Sequence, residues 1–168
     1  RKRRVNRRTT NLVKFLRKIC PNNNECFSLG VYTDMSNRYF DNMSYAHAIE
    51  PILAIGENSQ NGFIREISHK KKEYTTKTLL KSAQSAESDN LMYEYAVGQY
   101  INAQNKKFPC FLQTYACYQY MSDTAYNKFS ANAQTVSDLL QLKKLHSNTT
   151  ALTPNKFSEI IKSSWCRL

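Results

Sequence analysis

The chain has 168 residues, 41% of them apolar and 12% aromatic, which is enough for one folded domain with appendages and excludes disorder throughout. No apolar run reaches the length of a membrane span and no signal-peptide pattern opens the chain. The formal charge of +11 is unevenly spread: residues 1–18 hold nine Lys or Arg and no acid, leaving +2 for the other 150 residues.

The basicity therefore belongs to an N-terminal arm, assigned to residues 1–25, in which Arg1, Lys2, Arg3, Arg4, Arg7 and Arg8 form an anion-binding run. Nucleic acid, an anionic membrane or an acidic protein surface would each meet it, and such a run also serves as a solubilising tail or a localisation signal. Behind the run, Thr9, Thr10 or Asn11 caps a short helix with Leu12, Phe15, Leu16 and Ile19 on one face, ended by Pro21 and three asparagines. The five cysteines (Cys20, Cys26, Cys110, Cys117, Cys166) are odd in number and contain no CxxC pair. That spacing argues against zinc and against a disulfide framework, and for a reducing compartment with thiols used as small core residues.

Residues 26–121 read as the folded centre. Met35 to Tyr45 is expected to be helical with Tyr39, Phe40 and Met43 inward, and His47, with no second ligand candidate nearby, is a packing or surface residue. Ile52 to Ile55 and Phe63 to Ser68 read as the strands of a hairpin around the polar stretch Gly56–Gly62. His69 to Glu73 reads as a solvated charged turn, and Tyr74 to Leu80 as a third strand ending at Lys81. Ser88 or Asp89 caps a helix running to about Asn102, with Leu91, Glu94, Tyr95, Gly98 and Ile101 on one side. A carboxylate in that stripe either meets a cation, for which Lys81 is the candidate, or reaches water at the edge of the face. Residues 111–120 read as a further strand and 130–146 as a helix. Pro154 opens a last helix in which Phe157, Ile160, Ile161, Trp165 and Leu168 form an apolar stripe that needs a partner, in this domain or in another chain. Residues 122–168 are read as a helical C-terminal appendage.

The order of strand, glycine-flanked loop, strand, strand ending in Lys, and helix bearing an inward Glu resembles a protein-kinase small lobe. The segments NGFIREI, TLLKSA, SDNLMYEYAVGQYIN and FPCFLQTYACYQY, with CFSLGVYTDMSNRYFDNMSYAHAIEPILAIG ahead of them, resemble kinase-like proteins of giant DNA viruses over roughly residues 10–121. The resemblance implies an α+β fold: a kinase-like small lobe of antiparallel sheet plus one packed helix, with N- and C-terminal helical appendages. It matches Lys81 to the phosphate-contacting lysine, Glu94 to its helix partner, and Gly56 and Gly62 to the ends of the loop that covers a nucleotide. Asn58 stands near the middle glycine of that loop and Asn61 precedes the last, so ATP and magnesium are doubtful cofactors and none is assigned. None of the three histidines (His47, His69, His146) sits in an HRD-like loop, and no DFG occurs, so no catalytic residue and no metal ligand is assigned.

Three functions compete on this basis. The first is a non-catalytic binding or structural protein of a large DNA virus, carried as a minor capsid or core component in the virion or present in the infected host cell cytoplasm. It would contact other chains through residues 154–168 and an anionic partner through the arm. The second is the N-terminal part of an ATP-dependent protein kinase. The third is a nucleic-acid-binding protein acting through the arm.

Overall fold

The computed structural model describes residues 14–17, 20, 25–26, 32–59, 61–84, 90–104, 107–131 and 135–145. Its centre is an antiparallel sheet of β1 (Ala48–Ser59), β2 (Gly62–Lys71) and β3 (Tyr74–Ser82), in the order β1-β2-β3. Helices accompany it, so the class is α+β, as the sequence predicts. Residues opposite one another in such a sheet share a side. One side carries Phe63, Arg65, Ile67 and His69 of β2, all buried, opposite Ser82, Leu80, Thr78 and Thr76 of β3. The other side carries Ile64, Glu66 and Ser68, opposite Lys81, Leu79 and Lys77, with Ile55 beside Ile64 and Leu53 beside Glu66.

Both connections are tighter than the sequence predicts. Gly56 to Ser59 continues β1 instead of forming an open polar loop, because Gly56 (φ +68°) and a register shift between Ile55 and Ser59 absorb the irregularity within the strand. The predicted solvated turn at His69–Glu73 shrinks to two residues, Lys72 (φ +57°) and Glu73. His69 lies on β2 with its ring fully buried and Nε2 2.8 Å from Thr78 Oγ1. The strand period of two, not the flanking lysines, decides its side.

Burial holds the His69 pKa below its ordinary 6.5, outweighing the opposing effect of the nearby Ser44 carbonyl. A depressed pKa means that the unfolded chain takes up a proton before the folded one does. The stabilisation is complete above about pH 6.5 and is lost as pH falls through the folded value. Thermal unfolding followed against pH should show stability declining below about 6.5, by at most about 1.4 kcal/mol per pH unit from this one group. In His69→Gln that part of the decline should vanish.

Helix α1 (Thr33–Tyr39) ends earlier than predicted, since Asp41, Asn42 and Met43 all take positive φ (53°, 56°, 56°). Tyr39, Phe40 and Met43 are buried as the pattern requires, in a cluster with Leu16, Cys20, Cys26 and Tyr74. Asp41 Oδ2 holds Lys71 Nζ at 2.6 Å and His47 Nε2 at 2.5 Å, and these two contacts keep its pKa low. Cys20 and Cys26 form a disulfide with their Cα atoms 4.7 Å apart, correcting the expectation of free thiols. The two meet because the helical turn at 14–17 and the edge of β3 share one cluster. Cys26 N donates to Thr75 O (2.7 Å), Thr76 Oγ1 to Cys26 O (3.0 Å), and Glu25 forms a parallel bridge with Thr75. Of the other described thiols, Cys117 is buried and Cys110 exposed.

After β3 come α2 (Asn90–Gln104), β4 (Tyr118–Tyr120), α3 (Asp123–Ser130), α4 (Val136–Leu139) and β5 (Leu142–Lys144). Two predictions are corrected here. Only 118–120 of the expected strand 111–120 is extended pairing, and its partner is β5 rather than the main sheet. The expected helix over 130–146 is instead α4 followed by β5. Thr135 starts α4, with Asp138 Oδ2 accepting from both its N–H and its hydroxyl at 3.0 Å. Sequence reading missed α3 as well, although Ser122 caps it by accepting from Ala125 N at 3.1 Å. The main core joins Ile52, Phe63 and Ile67 of the sheet to Tyr120, Ala125, Phe129, Leu139 and Leu142. The boundary drawn at residue 121 runs through this core.

Candidate functional site

Lys81 lies at the end of β3 on the side of the sheet away from the main core, and Glu94 lies in α2. Lys81 Nζ donates to both carboxylate oxygens of Glu94 at 2.7 Å each, so of the two sequence readings of Glu94 the structure has the ion pair. The side chains are 45% and 49% exposed, and an exposed pair of this kind contributes under about 1 kcal/mol to stability. Its geometry is therefore available to a ligand at little cost to the fold.

Position, not the pair itself, comes from α2. The helix is braced on the irregular stretch before β4 by an amide clamp. Gln99 Nε2 and Asn102 Nδ2 donate to Thr114 O (3.1 and 2.6 Å), and Thr114 N donates back to Asn102 Oδ1 at 3.0 Å. The helix approaches so closely at Gly98 that a Cβ there would stand 2.2 Å from Thr114 Oγ1. At the other end Leu91 and Met92 pack with Ala83 and Cys117. Sequence reading placed Gly98 on the inward side but missed its neighbours. A glycine next to two amides three residues apart was the available signal.

Between β3, α2 and the stretch before β4 lies a cavity of about 750 Å³, with Thr78, Leu80, Leu91, Tyr95 and Thr114 in its walls and Lys81 and Glu94 also lining it. This size accommodates a small ligand. The sheet side bearing Lys81 is open, and Leu53, Ile55 and Leu79 on it are 47%, 41% and 57% exposed.

Gly56 and Gly62 stand at opposite limbs of the β1–β2 hairpin, but the hairpin is tied to the other side of the sheet. Asn58 Nδ2 donates to Ser130 O at 2.9 Å, at the end of α3. Arg65, only 1% exposed, reinforces this: one terminal nitrogen reaches Ser130 O (3.1 Å) and Asn58 Oδ1 (3.3 Å), and the other reaches Ile64 O (3.0 Å). Its guanidinium lies 4.5 Å from the centre of the Phe63 ring. Burial lowers the Arg65 pKa, and among the described residues carbonyl oxygens rather than a carboxylate meet the charge. Sequence reading did not single out Arg65, although the period of two sets it on one side with Phe63 and Ile67, and that was the available signal.

The arm residues Arg1, Lys2, Arg3, Arg4, Arg7 and Arg8 and the apolar stripe at 154–168 lie outside the described residues. Among the described residues, no group of three or more His, Cys, Asp or Glu is gathered in a way that could hold a metal ion. No helix among them is long and apolar enough to cross a membrane. Comparison with known proteins finds no matching family model, no matching curated protein and no matching solved structure.

Proposed function

We propose that the chain is a non-catalytic binding module built on a kinase-like small lobe, serving as a minor capsid or core component of a large DNA virus. The observation that carries the non-catalytic reading is the tie between Asn58, Arg65 and Ser130 O. A hairpin that covers nucleotide phosphates has to approach the lysine on its own side of the sheet, and here its tip is bound to the opposite side. What is left open beside Lys81 is a mixed sheet face, with Leu53, Ile55 and Leu79 around the Glu66–Lys77 ion pair, which suits a macromolecular contact better than a phosphate cradle. The viral setting rests on the segment resemblance, and in this reading the basic arm meets an anionic partner, a nucleic acid or an acidic protein surface.

A second reading, the N-terminal part of an ATP-dependent kinase, is favoured by the Lys81–Glu94 pair, which is the arrangement that grips phosphates in that family. Thermal unfolding with and without ATP and magnesium separates the two. In the binding-module reading neither the native chain nor Lys81→Ala is stabilised by nucleotide. A stabilisation that Lys81→Ala abolishes, worth about 2.7 kcal/mol at ligand 100-fold above Kd, would overturn that reading in favour of the kinase. Because the pair is exposed, Lys81→Ala should fold normally and serve as a clean control.

A further inference from the structure

We infer that the outer edge of β3, from Lys77 to Lys81, is a docking site for an extended peptide of another protein, which adds to the sheet as a further strand. β3 ends the order β1-β2-β3, so one of its edges has no strand beside it. Thr75 O accepts from Cys26 N at 2.7 Å, whereas Ser82 O lies where a Cβ on Gly62 of β2 would stand, so Thr75 turns outward and Ser82 inward. Backbone groups alternate along a strand, and Lys77, Leu79 and Lys81 therefore turn N–H and C=O outward as Thr75 does. Among the described residues, no backbone group from outside the sheet bonds to these three.

The edge opens on space rather than on packed chain. Every residue from Thr76 to Ser82 lines the cavity of about 750 Å³, and so does every residue from Leu112 to Tyr118. A cavity that touches both alternating sides of a strand lies along its edge. The facing wall is held by bonds of its own: Thr114 is clamped to Asn102 of α2, and Cys117 O accepts from Leu145 N at 3.0 Å. Outward strand N–H and C=O groups in such a trough are met in register by another extended backbone. The side chains narrow its chemistry. Exposed Leu79 stands between Lys77 and Lys81 on one side of the strand, and Glu66 and Glu94 hold the two ammonium groups beside the edge. A second copy adding antiparallel about Leu79 would set Lys77 of each copy opposite Lys81 of the other, an unfavourable like-charge pairing. The fitting occupant is a different chain, apolar opposite Leu79 and uncharged or acidic beside the two lysines. This deepens the binding-module reading and rests on it.

Amide hydrogen exchange of the full chain, read by NMR, is the first arm of the test. The Leu79 and Lys81 amides should exchange fast, while those of Thr78 and Leu80, turned toward β2, stay protected. Random displayed peptides of about seven residues, long enough to span Thr76–Ser82, are then selected on the full chain, and the binders should protect Leu79 and Lys81. N-methylation of alternate peptide residues should weaken binding about 10-fold or more in one phase and far less in the other, without altering the protein. Leu79→Pro removes one outward N–H at an edge position, where proline is tolerated, and should lose the same binding with unchanged far-UV circular dichroism. Protection of Leu79 and Lys81 in the chain alone would overturn the inference. Independent of concentration, it places the chain's own backbone on the edge; rising with concentration, it places a second copy there. A selection without binders, or binders that protect other amides only, would overturn it too. No nucleotide is present in this experiment. If it fails while nucleotide leaves stability unchanged, the binding-module reading stands without this edge.

Discussion

Gly62→Ala should lower stability by about 3 kcal/mol or more, read as a fall in the denaturant midpoint at unchanged slope. Gly62 is buried with φ +122°, a region that residues with a Cβ scarcely enter. A Cβ built there would stand 1.8 Å from Ser82 O, a backbone atom of the neighbouring strand, with Ser82 C at 2.9 Å behind it. The strand cannot move aside without disturbing Phe63, which pairs with Ser82, or the contact between Ser82 Oγ and Tyr120 OH. Gly56→Ala is the internal control. Its φ is also positive, at +68°, but nothing lies within 4 Å of the added carbon, so the loss should be about 1–2 kcal/mol. Equal losses in the two variants would mean that the close approach to Ser82 does not exist in solution.

Phe129→Ala should cost about 3–5 kcal/mol and do so in one cooperative transition. Phe129 is fully buried at the centre of the main core, in contact with the Tyr120 ring (5.5 Å between centroids) and clustered with Ile52, Phe63 and Ile67 of the sheet. A truncation there opens a cavity that sheet and helix share. Far-UV signal from the sheet and near-UV signal from the tyrosines should therefore shift together. If residues 122–145 were a separate appendage, the variant would unfold in two steps with the sheet's own step unmoved. The substitution thus tests packing across the position where the sequence placed a boundary.

The reading of the sequence succeeded where a local rule also decides the tertiary outcome. Residues 63–68 and the Thr- and Tyr-rich 74–80 form strands as expected, because a β-prone run between turns needs only a partner strand, and pairing extended both. The helix around Glu94 was legible from the spacing of Leu91, Tyr95, Gly98 and Ile101, which left Glu94 either paired or in water; the lysine ending the previous strand pairs with it while both side chains stay half exposed. It failed where local and long-range demands differ. The run His69–Glu73 is highly polar and reads as a turn, yet strand register carries His69 into the core. Residues 130–146 are glycine-free and suit a helix, but the Thr135–Asp138 cap and the pairing of Leu142 with Tyr120 divide them. Cysteine counting missed the Cys20–Cys26 bond because parity and spacing say nothing about which segments share a cluster.

By itself, then, the sequence determined the α+β class, the three central strands and the long helix, since each follows from local periodicity and propensity, and it named pairing with Lys81 as one of two ways to satisfy Glu94. Only the tertiary structure decided which way the glycine hairpin leans and that the segment after residue 121 completes the sheet's core. Both depend on contacts between residues far apart in the chain: Asn58 with Ser130 O, and Phe63 and Ile67 with Phe129 and Leu139. No local pattern encodes such contacts, because what selects them is the shape of the whole core and the need to satisfy the groups buried within it.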